Sequence, residues 1–350
     1  MVNKIKAYAA LEEKGKLVPW EFEQRPMRDN DVIMDILYAG ICHSDIHNVN
    51  GDWGKGHFPM VPGHEIVGRI IKVGSKVSKL KVGDLAAIGC MVDSCQRCNP
   101  CKHDLEQYCE NGSTLTYHGI DRIDGSTTYG GYSQQIIARE EFVLSVPANL
   151  DLKAVAPILC AGITTWSPLK HWNVKPGDNV AVIGLGGLGH MAIKLAAALG
   201  ANVSLFSRSP NKEADAKALG AKEVIISTDE VQMKAAKGKF SLIIDTVPYK
   251  HDLRPYVNTL GIDGTLVIVG YLGDTNEILN TVPMIMGRKS IAGSVIGGIK
   301  ETQELLDFCG KHNIVSEVEM INIQDINTAY ERMLKSDVKY RFVIDINSLK

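Results

Sequence analysis

The sequence predicts an α/β protein of two parts: a doubly wound parallel sheet from about residue 153 to 297, and a β-rich, barrel-like remainder. Three observations carry that reading. A glycine-rich turn joins an apolar β-branched run, "NVAVI", to a helical run, "GHMAIKLAAALG". Beyond it strand and helix patterns alternate to about Gly297. The first 150 residues instead hold short strands and Gly/Pro turns such as "VPGHE" and "KVGSKVSKLKVGD", with little helical periodicity. A chain of 350 residues is long enough for about two such domains.

Composition narrows the class. Hydrophobic residues make up 45% and charged residues 22%, as in soluble globular proteins. A formal charge of −2 gives no electrostatic case for nucleic acid or an anionic membrane. The first twenty residues lack an apolar signal core, and no uncharged apolar run approaches the roughly 18 residues of a membrane span. The expectation is a cytoplasmic protein with reduced thiols.

Reduced thiols give meaning to "CQRCNPCKHDLEQYC". Its spacing is C-x2-C-x2-C-x7-C, formed by Cys95, Cys98, Cys101 and Cys109. Cysteines two residues apart wrap one ion through a tight turn, and the fourth closes the tetrahedron. Zn2+ favours four thiolates in that arrangement, which leaves no open coordination position. The usual iron–sulfur spacings differ. This segment therefore reads as a structural zinc site, a staple for a loop with little apolar material of its own.

Three other segments offer catalytic ligands. "AGICHSDIH" carries Cys42, Ser44, Asp45 and His47; "PGHEIVG" carries His64 and Glu65; "APILCAGITTW" carries Cys160. A catalytic zinc takes three protein ligands and keeps one position open, and Cys2His is a known set. Taken singly each residue is a weak signal, since a lone buried Cys is usually a packed small hydrophobe.

The glycine turn supplies context. Asn179–Ile183 reads as a buried parallel strand, Gly184, Gly186 and Gly189 form G-x-G-x-x-G, and a helix follows. That order suits a dinucleotide, whose pyrophosphate sits on the helix N-terminus. An NAD site usually ends its second strand with an acid for the ribose 2′-hydroxyl. Here Asn202–Phe206 leads into "SRSPNK", with Ser207, Arg208, Ser209 and Lys212. Hydroxyls and cations suit a 2′-phosphate, so NADP(H) is favoured. Further strands are expected at Glu223–Ile226, Phe240–Asp245, Gly264–Val269 and Ser290–Val295. The tail, from "TQELLDFCGKH" to "KYRFVIDI", is expected to fold back onto the first domain.

Together "GICHSDIH", "PGHEIVG", the cysteine run, "LCAGITTW", "GLGGLGHMAIKLA" and "YRFVIDI" resemble the zinc-dependent alcohol dehydrogenases of the medium-chain dehydrogenase/reductase superfamily, in particular the cinnamyl alcohol dehydrogenase branch. The resemblance spans essentially the whole chain. It implies a GroES-like catalytic domain, 1–152 with 298–350, interrupted by a Rossmann NADP-binding domain, 153–297. It implies two zinc ions per chain. Cys42, His64 and Cys160 become the catalytic ligands, and Glu65 a neighbour that replaces water on the metal in relatives. Ser44 and His47 match a proton relay, and Asp45 an orienting carboxylate for His64. Cofactor contacts fall on Ser44, Thr164, Gly184, Leu185, Gly186, Gly187, Leu188, Gly189, Thr246, Gly270, Ser294, Val295 and Ile296. Arg341 is expected either at the pyrophosphate or in a surface ion pair.

Other residues are read as bystanders. Cys90 is expected as a packed thiol, and Cys309 as either core or semi-exposed. His57, His103, His118 and His251 lack a spaced partner. Trp53 either lines the substrate cleft or packs under a loop. The implied reaction is hydride transfer between NADP(H) and primary aromatic or medium-chain aliphatic alcohols and aldehydes, in a homodimer or homotetramer. A zinc polyol (sorbitol-type) dehydrogenase using NAD is the alternative, opposed by the missing acid at Ser207. A non-catalytic cofactor-binding protein is opposed by the full ligand set.

Overall fold

The computed structural model describes residues 4–270, 273 and 280–350. The chain separates into two compact units: Met1–Cys160 with Gly297–Lys350, and Ala161–Ile296. The expected boundary after residue 152 thus moves to Cys160, and the return point from 298 to Gly297. The cause is local. Helix Leu152–Val155 and the following turn Ala156–Leu159 bury Ala154, Val155, Ile158 and Leu159, and they pack on the strands of the first unit. An apolar run without alternation gives no hint of which sheet it covers.

The first unit opens with a hairpin of β1 (Lys4–Ala10) and β2 (Leu17–Glu23). Its main sheet is built on β3 (Asp31–Gly40), which pairs antiparallel with β4 (Ile66–Val73). β5 (Leu85–Ile88) extends that edge. A small ladder joins β6 (Met91–Asp93) to β7 (Thr114–Leu115), one on each side of the cysteine run. β8 (Gln135–Arg139) takes the Asp31–Asp35 half of the other edge of β3, and β9 (Leu144–Ser145) closes on β5.

In the second unit six parallel strands follow: β10 (Asn179–Ile183), β11 (Asn202–Ser207), β12 (Glu223–Ile226), β13 (Phe240–Asp245), β14 (Leu260–Ile268) and β15 (Ser290–Gly293). Their order, β12-β11-β10-β13-β14-β15, is that of a doubly wound dinucleotide-binding sheet. Buried Val, Ile, Leu and Phe on both faces explain the near-continuous apolar runs. β14 starts earlier than expected because Leu260 pairs with Phe240 across a register irregularity. The order reverses between β10 and β13, so Gly184 and Thr246 leave the sheet at its switch point.

The tail then returns to the first unit as expected. β16 (Val318–Asn322) pairs with β17 (Arg341–Asp345), and β17 takes the Tyr38–Gly40 half of β3 beside the stretch held by β8. One core cluster runs from Ile5 and Val32 through Ile66 and Tyr132 to Phe342 and Ile344. It joins sequence-distant strands around the end of β3. That end is where the chemistry begins.

Candidate active site

The cysteine lobe is a core made of sulfur. Its buried cluster consists of Cys98, Cys101 and Cys109 with Cys95 packed against them, and among the described residues no aliphatic side chain joins it. Cys98 caps a one-turn helix, Asn99–Lys102, whose Pro100 sits in the first turn, and this places Cys101. Backbone N–H groups of Cys98 and Cys95 donate to the sulfurs of Cys95 and Cys109, at 3.3 and 3.5 Å. The Cys95–Cys101 and Cys98–Cys109 sulfurs stand 4.0 Å apart. Two sulfurs on one tetrahedral zinc, each at about 2.3 Å, are separated by about 3.8 Å. The four cysteines therefore fit a closed metal site. Their surroundings set them apart: the N–H of Arg97 lowers Cys95 to about 5, while burial pushes Cys101 up to about 12.

Cys42, His64, Glu65 and Cys160 come together from three separate turns. Cys42 caps α1 (His43–Asn50), directly after β3. His64 and Glu65 precede β4, and Cys160 ends the turn Ala156–Leu159. α1 itself is a departure from the strand-rich expectation; with only Ile46 and Val49 as its buried apolar face, its eight residues carry little periodic signal. One ligand atom from each of the four residues falls within 4.8 Å of the others, and all four residues are buried. The Cys42 and Cys160 sulfurs are 3.9 Å apart, again the separation of thiolates on one zinc.

Electrostatics fits the same purpose. Cys160, then Arg341 and His64, hold the Cys42 thiol well below its ordinary value, against burial. Cys42 and Cys90, with burial, push Cys160 well up. The two sulfurs are thus pushed apart in proton affinity by each other, and a divalent cation would favour both as thiolates. Cys90, expected as an inert packed thiol, instead lies half-buried beside these ligands, its sulfur 3.7 Å from the Leu159 carbonyl.

Asp45 anchors the cluster. It is fully buried and accepts from the N–H of Cys42 at 2.8 Å, from the N–H of Gly63 at 3.3 Å and from the Tyr132 hydroxyl at 2.9 Å. His64 Nδ1 lies 3.1 Å from its Oδ1, which turns Nε2 toward the metal site. Burial lowers the proton affinity of His64, but Asp45, Cys90 and Cys42 carry it well above the ordinary value.

Arg341 corrects the expectation most. It is neither at the surface nor free for pyrophosphate: at 3% exposure on β17 it pairs with Glu65, with Nη1 4.0 Å from Cys42 Sγ. Burial raises Glu65 to about 7, opposed by that guanidinium. Gly40 makes the room, because a Cβ there would overlap the Glu65 carboxylate. Sequence reasoning missed Gly40, Tyr132 and this role of Arg341.

Of the expected relay, Ser44 Oγ lies 3.4 Å from Cys42 Sγ. His47 Nδ1 lies 2.8 Å from Asp52, and its ring stacks on Trp53 at 5.0 Å. Trp53 is thus a half-exposed platform for His47. His57 and His118, read as lacking partners, face each other with ring centroids 5.2 Å apart. His103 rests on the Asn99 carbonyl at 2.8 Å. Cys309, expected as core or semi-exposed, is fully buried.

The glycine loop in the second unit is equally specific. Gly184 has φ +89°, closed to most side chains. A Cβ on Gly189 would strike the Gly184 carbonyl, whereas one on Gly186 meets nothing within 4 Å, leaving open the space a pyrophosphate takes. Gly186 caps helix Gly187–Ala198 without any side-chain hydrogen bond. Leu185 and Leu188 are half-buried flanks. The loop rests on buried His190, whose Nδ1 is 3.2 Å from the Gly186 carbonyl, and on Thr246, which donates to the Ile183 carbonyl at 2.7 Å. Thr246 is therefore a brace for the loop. Gly270 has no room for a Cβ against the Val247 carbonyl. The Ser294 N–H donates to the Ile268 carbonyl at 3.1 Å, next to half-exposed Val295 and to Ile296, at φ +37°. Thr164 is buried in helix Ala161–His171.

In the phosphate loop the Ser207 hydroxyl donates to the Ser209 carbonyl at 2.8 Å and accepts from the Ser209 N–H at 3.2 Å, making a tight turn. Lys212 closes the following turn, Pro210–Lys212. Arg208 is exposed and donates to the Tyr249 hydroxyl at 3.2 Å. The turn gathers two hydroxyls and two cations, with no carboxylate at the strand end.

Comparison with known proteins agrees with this anatomy. Residues 28–148 match the "Alcohol dehydrogenase GroES-like domain" family, and 187–311 match "Zinc-binding dehydrogenase". The probable formaldehyde dehydrogenase AdhA of Bacillus subtilis is 50% identical over 338 residues, 96% of each chain. NADP-dependent alcohol dehydrogenase C 1 of Mycolicibacterium smegmatis is 49% identical over 350 residues, covering 100% of both. Among solved structures, the cinnamyl alcohol dehydrogenase SbCAD4 of Sorghum bicolor superposes with a TM-score of 0.95 at 41% identity, covering 99% of each chain. A Helicobacter pylori CAD complexed with NADP(H) superposes with a TM-score of 0.92 at 43% identity, also covering 99% of each.

Proposed function

Because this chain belongs to the zinc-binding medium-chain alcohol dehydrogenases, in their cinnamyl alcohol dehydrogenase-like branch, and is an alcohol dehydrogenase, we propose that it works with two zinc ions and NADP(H). The observation that carries this reading is the four-residue cluster whose ligand atoms fall within 4.8 Å of one another, around two sulfurs 3.9 Å apart. Its substrates are primary aromatic or medium-chain aliphatic alcohols and aldehydes.

Bound at these sites, catalytic zinc supplies Lewis acidity and the nicotinamide supplies or accepts a hydride. The rest is the work of side chains. Cys42, His64 and Cys160 hold the metal, and Asp45 fixes the His64 tautomer. Arg341 offsets the charge of Glu65 beside Cys42. Ser44 and His47 carry the proton outward, with Asp52 orienting the imidazole. Ser207, Arg208, Ser209 and Lys212 receive the 2′-phosphate. Relatives named as NADP-dependent or solved with NADP(H) support this cofactor choice.

An aldehyde screen read by nicotinamide absorbance tests the proposal. NADPH is expected to give at least about tenfold higher kcat/KM than NADH, since only one cofactor carries the charge this loop is built to hold. Equal use of both would overturn the cofactor assignment. Inertness toward every carbonyl compound would overturn the substrate class.

We place the chain in the cytosol as a homodimer. Among the described strands β15 is at an edge of the sheet, and Ile262 of β14, Val282, Ile285 and Met286 of the helix Val282–Gly287 before β15, and Val295 just after it are exposed apolar residues suited to a second copy. Light scattering should give a dimer mass that Ile285→Glu halves. A monomeric native protein would refute the pairing.

A further inference from the structure

The buried end of β13 sets Asp245 against His251. Asp245 is fully buried, and its Oδ1 accepts from the Val247 N–H at 3.2 Å. Its Oδ2 lies 3.1 Å from Nε2 of His251, six residues along a loop that leaves the sheet and bends back. The other ring nitrogen, Nδ1, lies 2.9 Å from the Tyr249 carbonyl oxygen. Both neighbours are acceptors; the Nε2–Oδ2 approach is an ion-pair contact in which neither atom completes a hydrogen bond, so its attraction is that of a charged ring for a buried carboxylate. Asp245 accordingly raises His251 above its ordinary value, helped by the Tyr249 carbonyl and Asp252. The ring also meets Tyr256 edge-on at 6.0 Å, and Tyr256 meets Phe206 of β11 at 5.1 Å. The loop is thus pinned to the strand that ends in the phosphate turn.

What the pinned loop presents is Tyr249. Its ring is 52% exposed, too open to serve as core, yet it lies under the Arg208 guanidinium at 5.9 Å, and its hydroxyl accepts from Arg208 Nη2 at 3.2 Å. An exposed arginine ordinarily spreads over many rotamers, and ordering it at the moment of binding costs affinity. A tyrosine face with a hydroxyl at its rim narrows that spread in advance.

We propose that the Asp245–His251 ion pair is a clasp which, through Tyr249, holds Arg208 ready for the 2′-phosphate of NADP(H). This makes His251 and Tyr249 positioning residues for cofactor choice, although neither belongs to the phosphate turn. The proposal rests on the NADP(H) reading above.

Dissociation constants for NADPH and NADH, measured by nicotinamide fluorescence on the intact protein, provide the test. Tyr249→Ala and His251→Ala should each weaken NADPH about 5–10-fold and NADH less than about twofold, because only NADPH uses Arg208. Tyr249→Phe keeps the ring and should cost less than about threefold. Combined with Arg208→Ala, either alanine variant should add almost nothing, the signature of residues acting through one another. Equal weakening of both cofactors, or full additivity with Arg208→Ala, would overturn the clasp. Tyr249 is exposed, so its variants keep the test valid if His251→Ala fails to fold. A native protein without NADPH preference would sink the cofactor reading and the clasp together. A native preference that Arg208→Ala abolishes and the Tyr249 and His251 variants leave intact would sink the clasp alone.

Discussion

The two cysteine-bearing centres of the first unit differ in every respect that governs how a metal is used. The lobe draws Cys95, Cys98, Cys101 and Cys109 from one run of fifteen residues and brings their sulfurs within 4.8 Å of one another. The other centre draws Cys42, His64, Glu65 and Cys160 from three turns, the first and last 118 residues apart, and surrounds them with charge: Asp45 behind His64, Arg341 behind Glu65. In the lobe the sulfurs replace an apolar core. In the cluster a complete core already exists around β3, and the ligands hang from its end. Removing metal from the first should loosen structure, and from the second should remove chemistry.

The largest expected effects separate along that line. Cys160→Ala should lower kcat/KM by at least about 10³-fold and bring bound zinc from two ions to one, while shifting the melting temperature by only a few degrees. Cys101→Ser should also lose one zinc, but with thermal stability and solubility falling more than turnover of the surviving folded fraction. Elemental analysis, calorimetry and single-turnover kinetics on the two variants check this. A stable Cys101→Ser protein that had lost hydride transfer would erase the contrast, and so would a Cys160→Ala protein with normal turnover.

The same contrast explains how much could be read from residues alone. The lobe and the glycine loop were legible because each is local: spacing in one, strand–turn–helix order in the other, with Gly184 and Gly189 placed as steric necessity requires. The cluster was legible only in outline, because no spacing rule connects Cys42 to Cys160. Its supporting residues were not legible. Arg341 begins the apolar strand "RFVID" and meets Glu65 across 276 positions, so the pairing exists only once β17 has joined β3. Gly40 resembles any strand-end glycine until Glu65 is packed against it. Trp53 and His251 had polar surroundings in sequence and acquired partners through loop closure. The shifted boundary at Cys160 has the same origin, since an apolar helix does not announce which sheet it covers.

The smallest effect is the sharpest test of the cluster, because it touches nothing that binds metal or substrate. Tyr132, fully buried in the segment that leads into β8, donates one hydrogen bond to Asp45 across 87 positions. Removing its hydroxyl leaves His64, Cys42 and Gly63 on the carboxylate. Asp45 then keeps its charge but has one donor fewer to fix its orientation, at a cost of about 1 kcal/mol. Partners that orient a ligating histidine typically hold about 10–100-fold of metal affinity, and a group one layer further out should hold less. Tyr132→Phe should therefore release one of the two zinc ions to a chelator about 3–10-fold faster, with kcat/KM of the loaded protein within about threefold of native. Release of the lobe's zinc should not change, because none of its cysteines touches Asp45. An unaltered rate for both ions would show that Tyr132 packs without positioning. Faster loss from the lobe would mean that the two centres are coupled through the fold, and that their contrast in construction does not extend to their energetics.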